Sequence, residues 1–399
     1  MSDVPPAFVR HYRFRIPLRP AAVLRYYLDF LLVPHSRAEL ARAALARAIK
    51  ALPRLAALAL GARQAERPDP DHSALPNTAA SHAGLATTGL SAISLGDYRD
   101  SGRGKEIAFL FAPEQARPSV IAKTTPVPQQ QSRLQHERDS LLGLRASLDD
   151  DLCATLPVPL AVFDSPQGLT CCESHLPGRA IYVEMRGSWR PERLVERHFG
   201  LAHGWLAQFQ KATIADPAAT GLGEAMRELL EQGGLPEAGQ ALLTERIALV
   251  ASLAEQALPS VAIHGDFWAR NILIEDSRIA VFDWELFQRQ GLPLTDPIHF
   301  AISYGLSYPW RLGRWVDRAE AFRRSFDPAG PLRPVIERHL RGHCRAMGLD
   351  PRWIDPAITS YLAERVLEEA AAGEQPRRGD WRRIFASYAE MGQCACFGC

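Results

Sequence analysis

The chain lacks several features that define large classes of protein. No apolar run is long enough to span a bilayer, because the densest stretch, residues 21–33, is short and is interrupted by Arg25 and Asp29. No charge of one sign prevails, since 46 Lys and Arg residues face 45 Asp and Glu residues. A global basic field of the kind that attracts nucleic acid is therefore absent. These absences favour a globular protein without a nucleic-acid partner.

Cysteine is sparse and odd in number. The seven cysteines are Cys153, Cys171, Cys172, Cys344, Cys394, Cys396 and Cys399. The first residues do not resemble a cleavable signal, because arginines interrupt the apolar residues there. An odd count without such a signal predicts free thiols in a reducing compartment, so we expect a cytoplasmic protein. The last three cysteines lack a second, regularly spaced ligand pair and are interpreted as an exposed tail.

The most informative stretch carries three polar groups around two short apolar runs. It begins with a His-Gly-Asp tripeptide that ends at Asp266 and continues to Asn271. The apolar runs 272–274 and 279–282 flank a polar corner, and the second run ends at Asp283. Apolar runs on either side of such a corner predict a β-hairpin. The hairpin would bring Asn271 and Asp283 close together, near Asp266.

These three side chains are the groups that kinase-type phosphoryl transfer requires. A carboxylate, Asp266, can accept the proton of a hydroxyl group. Asn271 and Asp283 supply hard oxygen ligands of the kind that Mg²⁺ prefers on a nucleotide's phosphates. We therefore predict Asp266 as the catalytic residue and Asn271 and Asp283 as the metal ligands.

The spacing of this stretch resembles the catalytic loop of the protein-kinase fold. It is most similar to the His-Gly-Asp form of the aminoglycoside phosphotransferase and choline kinase superfamily of small-molecule kinases. Asp283 stands where protein kinases begin Asp-Phe-Gly, and the later Asp296 follows a Gly-x-Pro segment like that of the family. Trp268 occupies the position of the protein-kinase lysine, which disfavours a protein kinase.

The resemblance implies a fold class and a division of the chain. The implied fold is α+β: a bilobal protein-kinase-like fold with a small β-rich N-lobe and a larger helical C-lobe, preceded by an N-terminal helical extension. We place the extension and a linker at residues 1–84, the small lobe and hinge at residues 85–178, and the helical large lobe with the catalytic loop at residues 179–399.

Four apolar runs between residues 107 and 173 predict the small-lobe sheet. The run that ends at Lys123 resembles the Val-Ala-Ile-Lys motif of the kinase fold, which implies that Lys123 contacts the nucleotide's phosphates. A helical pattern follows, and Glu137 is placed on it to project toward Lys123 as an ion pair. A surface lysine and a solvated helix acid remain the alternative interpretation.

Two further segments are candidates for nucleotide contacts. Residues 100–105 are rich in glycine, and the backbone at Gly102 and Gly104 is predicted to curl over the phosphates. The segment departs from a full G-x-G-x-x-G, so a plain hairpin turn is equally consistent with it. A later Pro-Gly pair resembles the family's hinge, where an adenine ring bonds to backbone groups. The predicted contacts there are the backbones of Glu173 and Leu176.

The N-terminal extension carries a basic helical segment. A capping box at residues 36–39 opens a helix, and apolar residues then recur at helical intervals. Many basic and few acidic residues accompany this pattern. Two interpretations stay open: a helical pair packed against the kinase body, or a peripheral contact with an anionic membrane surface.

The function predicted from the sequence is a Mg²⁺-dependent small-molecule kinase. It would transfer the γ-phosphate of ATP or GTP to the hydroxyl group of a small molecule. The alternative is a catalytically weak kinase-like protein that acts as a binding or scaffold protein. Neither the acceptor nor the oligomeric state follows from the sequence. Glu364, Glu368 and Glu369 are consistent with an acidic acceptor pocket and equally with solvated helix acids.

Overall fold

The structure is a computed structural model that describes most of the chain. The described residues are 8–65, 70–96, 104–215, 221–253, 258–310, 316–372, 380–392 and 397. The chain forms two compact units. The first comprises Met1–Gly187 and Leu273–Leu286, and the second comprises Ser188–Ile272 and Phe287–Cys399.

The first unit is built on a large antiparallel sheet. In chain order, the strands of the described residues are β1 Phe8–His11, β2 Phe14–Pro17, β3 Arg63–Ala65, β4 Ser91–Leu95, β5 Glu106–Phe111, β6 Val120–Thr125, β7 Pro159–Ser165, β8 Gly168–Ser174, β9 Arg179–Ala180, β10 Val261–Ile263, β11 Ile272–Glu275, β12 Arg278–Val281 and β13 Gln288–Gly291. Eight of them form the sheet in the order β3-β1-β2-β4-β5-β6-β8-β7. Strands β5 to β8 occupy the four apolar runs of the predicted small-lobe sheet.

The N-terminal segment contributes strands as well as helices, which its helical pattern did not predict. Strand β1 pairs with β2 and β3, and β2 continues the sheet by pairing Phe14 with Leu95 of β4. These strands are only three or four residues long. Val9 and Ile16 are buried in the core, whereas Arg10 is exposed. The alternation is that of a half-buried strand, but it is too short to stand out among arginines.

Most of the remaining chain is helical. The helices are α1 Ala21–Tyr26, α2 Arg37–Ala48, α3 Pro53–Ala59, α4 Pro70–His82, α5 Pro128–Ser147, α6 Asp150–Cys153, α7 Ile181–Arg186, α8 Val195–Ala212, α9 Glu224–Gln232, α10 Glu237–Ser252, α11 Thr295–Ser307, α12 Arg318–Phe326, α13 Arg333–Met347, α14 Ile354–Ala371 and α15 Asp380–Met391. Helices α8 to α15 belong to the second unit. No helix in the described part of the chain combines the length and apolarity needed to cross a membrane.

The core of the second unit anchors the segment that carries Asp266. Helix α8 buries an apolar stripe, and its Trp205 stacks on Phe209 and on Phe267 with ring centroids 5.0 and 5.5 Å apart. Phe267 directly follows Asp266 and is fully buried. Burial of a phenylalanine side chain contributes about 2 kcal/mol. The residue next to the candidate catalytic carboxylate is therefore fixed by hydrophobic packing.

The predicted hairpin is present as strands β11 and β12, which join β9 in a three-stranded sheet. The turn between them is at Asp276, whose backbone adopts φ +55°. Gly178, in the Pro-Gly pair before β9, has φ +118°, and a Cβ atom there would lie 2.9 Å from the Ile274 carbonyl carbon. Only glycine allows the chain to pass so close to the hairpin.

The predicted fold class is confirmed. A β-rich N-terminal part is followed by a mainly helical C-terminal part, and helices α1 to α4 lie in the N-terminal extension. The cysteines that the structure describes carry free thiols: Cys153, Cys171, Cys172 and Cys344. The tail cysteines Cys394, Cys396 and Cys399 lie outside the described residues.

Candidate active site

The loop between β10 and β11 is held by a buried carboxylate. Asp296, in the first turn of α11, accepts the backbone N–H of His264 at 2.7 Å and that of Gly265 at 3.1 Å. Burial raises the pKa of the Asp296 carboxyl, and His264 and the two N–H groups oppose this shift. Gly265 adopts φ +81°, which glycine accommodates without strain. Asp296 thus fastens the loop by its backbone.

Asp266 follows this fastened turn, and the second unit holds both of its carboxylate oxygens. The Asn271 amide nitrogen donates to Asp266 Oδ2 at 3.0 Å and to the Asp266 carbonyl at 3.0 Å. Nε2 of His299 lies 3.2 Å from Asp266 Oδ1. The Asp266 backbone N–H donates to Nδ1 of His264 at 3.2 Å. The Asp266 side chain is one-third exposed, at 33%, and is therefore accessible to solvent.

His299 was not among the residues predicted from the sequence. It lies one helical turn after Asp296 on α11, and its Nδ1 is 2.9 Å from the hydroxyl oxygen of Tyr361 on α14. Residues three apart on a helix share a face. The spacing of His299 from Asp296, the aspartate of the family-like segment, was the available signal for His299.

The first unit places Lys123 in a cluster of carboxylates. Lys123 Nζ lies 2.6 Å from Glu137 Oε1, 2.9 Å from Glu173 Oε1 and 3.8 Å from Asp283 Oδ1. Burial would lower the pKa of the Lys123 ammonium, but the three carboxylates raise it well above its usual value. The ion pair expected between Lys123 and Glu137 is therefore present. Their role toward a nucleotide stays a prediction.

Glu137 also fixes the turn that contains Asp283. Its Oε1 accepts the backbone N–H of Trp284 at 3.0 Å. Trp284 is fully buried, and its indole N–H donates to the Val281 carbonyl at 3.1 Å. Asp283 itself adopts φ +69°, an uncommon backbone conformation for a residue other than glycine. One carboxylate of α5 thus connects Lys123 to the backbone beside Asp283.

Lys105 is a second lysine of this cluster that the sequence reasoning did not assign. Its Nζ lies 3.0 Å from Glu285 Oε2 and 3.5 Å from Asp283 Oδ1. Burial would lower the pKa of Lys105, but Asp283 and the neighbouring carboxylates raise it. Its position directly after Gly104, in the glycine-rich segment, was the available signal.

The glycine-rich segment is described only in part. Gly102 lies outside the described residues, so its predicted contact with phosphate is untested. Gly104 has φ +51°, and a Cβ atom there would lie 2.5 Å from Val127 Cγ2. A side chain at position 104 would therefore meet both an unfavourable backbone conformation and a close contact with Val127.

The hinge residues Glu173 and Leu176 have different surroundings. Glu173 lies in β8, paired on both sides with β6 and β7, and its buried side chain reaches Lys123. Burial raises the pKa of the Glu173 carboxyl, and Lys123 opposes this rise. Leu176 is buried just beyond β8. Between them, Nε2 of His175 lies 2.8 Å from the Tyr26 hydroxyl of α1.

The two predicted metal ligands belong to different units. Asn271 lies in the second unit and Asp283 in the first. Their pairing at one ion therefore stays a prediction. Among the described residues, no group of three or more His, Cys, Asp or Glu side chains is arranged to hold a metal ion.

The chain is similar in fold to several solved structures. A glucosamine kinase in complex with glucosamine, ADP and inorganic phosphate shares 16% identity over 83% of this chain and 85% of that chain, with a TM-score of 0.48. A spectinomycin phosphotransferase in complex with ADP and spectinomycin shares 12% identity over 82% of this chain and 100% of that one, with a TM-score of 0.44. The macrolide 2'-phosphotransferase of Brachybacterium faecium shares 18% identity over 82% of this chain and 99% of that chain, with a TM-score of 0.46.

Sequence comparison identifies the family. No protein with a curated description matches the chain. The sequence model of the phosphotransferase enzyme family matches residues 108–333, more than half of the 399 residues. The matched range contains Lys123, Asp266 and Asp296 and the helices and strands that hold them. The chain therefore belongs to the phosphotransferase enzyme family.

Proposed function

We propose that this phosphotransferase moves the γ-phosphate of ATP, or of GTP, to a hydroxyl group of a small molecule. The proposal is carried by Asp266, whose carboxylate is held through both oxygens and is still one-third exposed. The acceptor oxygen forms a bond to the γ-phosphorus, the bond from that phosphorus to the β,γ-bridging oxygen breaks, and the acceptor's proton passes to Asp266. Because phosphoryl transfer is loose, positioning matters more here than basicity.

The nucleotide is assigned to groups of the first unit. Lys123 would contact the phosphates, and the Glu137 carboxylate at 2.6 Å orients its ammonium for that contact. The backbones at Gly102 and Gly104 would face the phosphates. The adenine ring would bond to the backbone between Glu173 and Leu176.

The donor chemistry at Asn271 and Asp283 fits Mg²⁺. The Asn271 amide nitrogen donates to Asp266, so its carbonyl oxygen is the atom that can serve a cation. A carboxylate and an amide oxygen are hard ligands, and Mg²⁺ commonly takes only one or two protein ligands besides phosphate oxygens and water. Bound Mg²⁺ would offset the negative charge of the phosphates.

Glu364, Glu368 and Glu369 of α14 are the acids that the sequence suggested for an acceptor pocket. Glu369 accepts the backbone N–H groups of Trp381 and Arg382 at the start of α15, which is a structural task. Glu364 is half-buried, and burial raises the pKa of its carboxyl. Glu364 is therefore the acid of this group that we would test first with amine-bearing acceptors.

The proposal is tested by a screen for turnover in which Asp266→Asn is the inactive variant and Asp164→Asn is the control. Nucleotide consumption is measured with Mg²⁺-ATP and Mg²⁺-GTP against a library of hydroxyl compounds. Asp266→Asn should abolish acceptor-dependent turnover while nucleotide affinity changes little, because the carboxylate acts on the acceptor proton. The exposed Asp164→Asn of β7 is the matched control and should behave as the wild type.

The same experiment distinguishes the alternative of a binding or scaffold protein. A kinase should be stabilised against heat by Mg²⁺ and ATP together, by about 2.7 kcal/mol at a hundred times Kd. Absence of that stabilisation, together with no turnover in any acceptor pool, would overturn the proposal. Full turnover by Asp266→Asn would refute the role given to Asp266.

A further inference from the structure

Three side chains of the second unit form a row of polar contacts that ends on Asp266. His299 Nε2 lies 3.2 Å from Asp266 Oδ1, and His299 Nδ1 lies 2.9 Å from the Tyr361 hydroxyl oxygen. The His299 side chain is 14% exposed and Tyr361 is buried. The two residues come from different helices, α11 and α14, so the row is a tertiary contact.

The partners of His299 decide which ring nitrogen carries the proton. An ionised carboxylate only accepts hydrogen bonds, so the nitrogen that faces Asp266 must donate. The Tyr361 phenol is neutral, because burial raises its pKa above the ordinary value. A neutral phenol can donate its O–H to Nδ1, which in turn leaves the proton of a neutral ring on Nε2.

We propose that Tyr361 fixes His299 as the Nε2–H tautomer and that His299 fixes the Asp266 carboxylate for acceptance of the acceptor's proton. The proposal rests on the proposed function. His299 and Tyr361 are positioning residues here, since they act through Asp266. In this arrangement His299 would donate from Nε2 to Oδ1, which lies 3.2 Å away, while Asn271 donates to Oδ2. The carboxylate is thereby restrained in one rotamer, and restraint of a reacting group raises kcat.

The proposed roles of Tyr361 and His299 are tested by measuring the effect of each substitution on kcat and on KM separately. Tyr361→Phe removes only the hydroxyl and should lower kcat by about tenfold, with KM for ATP unchanged within about twofold. His299→Ala should lower kcat further, and Tyr361→Phe should then have no added effect. His299→Gln retains an N–H donor toward Asp266 and should recover part of the loss.

The helical unit offers a matched control. Tyr304 of α11 lies 3.0 Å from Nδ1 of His198 of α8, a second buried tyrosine–histidine pair. Tyr304→Phe should cost similar stability without the effect on kcat. Equal losses of kcat in Tyr304→Phe and Tyr361→Phe would assign Tyr361 a merely structural part and overturn the proposal.

A spectroscopic readout keeps this proposal separate from the proposed function. Nitrogen-15 spectra of the imidazoles, with His299→Gln used for assignment, should show His299 protonated on Nε2. Tyr361→Phe should mix the two tautomers. An Nδ1–H tautomer in the wild type would contradict the roles proposed for Tyr361 and His299, even if the enzyme is a kinase. Full activity of Asp266→Asn would overturn the proposed function whatever the tautomer.

A second, independent observation concerns the N-terminal helices α2 and α3. Four leucines of these helices and of the turn between them are more than half exposed, and we call them the leucine surface: Leu45 at 54%, Leu52 at 56%, Leu55 at 51% and Leu58 at 72%. Helix α2 packs against α3 through buried alanines such as Ala43 and Ala56. Besides this buried side, α2 exposes Leu45, and α3 exposes Leu55 and Leu58. Contiguous exposed apolar patches mark interaction sites.

The charge around the leucine surface selects its partner. Residues 36–63 contain six cations and a single acid, Glu39. Four of the cations are exposed: Arg37, Arg42, Arg54 and Arg63. A second copy of the chain would bring like charges together. A nucleic acid would bind the arginines but would not provide an apolar environment for the leucine side chains. We propose that the leucine surface docks on an anionic phospholipid bilayer, with the leucines among the acyl chains and the arginines at the headgroups.

Vesicle flotation of the full chain tests this docking. The protein should float with vesicles of phosphatidylcholine and phosphatidylglycerol at low salt and should be released at high salt or from pure phosphatidylcholine. Leu55→Ser with Leu58→Ser should reduce the bound fraction at least about tenfold. The matched control is Leu142→Ser with Leu160→Ser, two leucines exposed elsewhere on the first unit, and it should float like the wild type.

Three flotation results would overturn the docking proposal. They are no flotation with anionic vesicles at low salt, equal flotation by the surface and control variants, and flotation that salt does not affect. A dimer in light scattering that only the Leu55 and Leu58 substitutions dissolve would assign the surface to self-association instead.

Discussion

Glu137 connects two parts of the first unit. Its carboxylate bonds to the Lys123 ammonium and to the Trp284 backbone N–H, and the side chain is 4% exposed. A buried charge that loses its partner is costly, whereas an exposed pair contributes little. The importance of Glu137 for folding should therefore be measurable apart from any catalytic role.

We expect Glu137→Gln to lower the free energy of unfolding by about 3 kcal/mol, the low end of the range for breaking a buried ion pair, because Glu173 still neutralises Lys123 at 2.9 Å. Urea denaturation measures the change. Asp139→Asn on the same helix removes an exposed ion-pair partner and should cost less than about 1 kcal/mol. Equal losses in the two variants would contradict the buried-pair account.

The hairpin of β11 and β12 depends on a close approach by the Pro-Gly turn. Gly178 has φ +118° and sits against the Ile274 backbone. Gly348, which ends α13, has φ +68° but leaves open space around a Cβ atom. The two glycines therefore separate the effect of packing from that of backbone conformation.

Gly178→Ala should destabilise the protein by about 3 kcal/mol, since it adds a clash to an unfavourable φ. Gly348→Ala should cost about 1 kcal/mol from conformation alone. Thermal or urea unfolding gives both values. If the hinge lies at the adenine ring, Gly178→Ala should also weaken nucleotide binding, whereas Gly348→Ala should leave it unchanged. A smaller loss at 178 than at 348 would contradict the close approach.

Stability of the whole molecule should depend on histidines that are buried without charge. Burial lowers the pKa of His343 to about 4 and that of His175 to about 4. Unfolding returns each group to about 6.5. Below pH 6.5 the unfolded chain therefore binds protons that the folded chain does not, and the stability present above pH 6.5 is lost as pH falls toward 4.

One such histidine should contribute about 2 kcal/mol of this loss between pH 7 and pH 5. His343→Gln should remove that share, so its stability should fall less steeply with acid than that of the wild type. The exposed His136→Gln is the control and should follow the wild-type curve. Urea unfolding at several pH values provides the measurement. An unchanged slope in His343→Gln would refute the contribution of that residue.

Sequence predicted the parts of this molecule that short-range patterns encode. The hairpin at 272–281 follows from two apolar runs and a polar corner, and Lys123 and Glu137 lie on adjacent elements. The roles of His299 and Lys105 were not predicted because their partners are distant along the chain. Asp266 is 33 residues from His299, and Glu285 is 180 residues from Lys105. Contacts between distant residues follow from tertiary packing, which a local pattern does not report.

The N-terminal strands β1 to β3 were missed for a different reason. Each is three or four residues long, and arginines break up its apolar residues. Pairing with β4 and burial of Val9 and Ile16 stabilise these strands in the folded chain. A strand that depends on its neighbours carries little signal of its own.

Helix α11 has a mechanical consequence for the enzyme. Asp296 at its start fastens the backbone before Asp266, and His299 one turn later contacts the Asp266 side chain. The backbone that precedes Asp266 and the Asp266 side chain are therefore both held by one helix. If α11 shifts when an acceptor enters, the loop and its carboxylate travel with it, and their mutual alignment survives the movement.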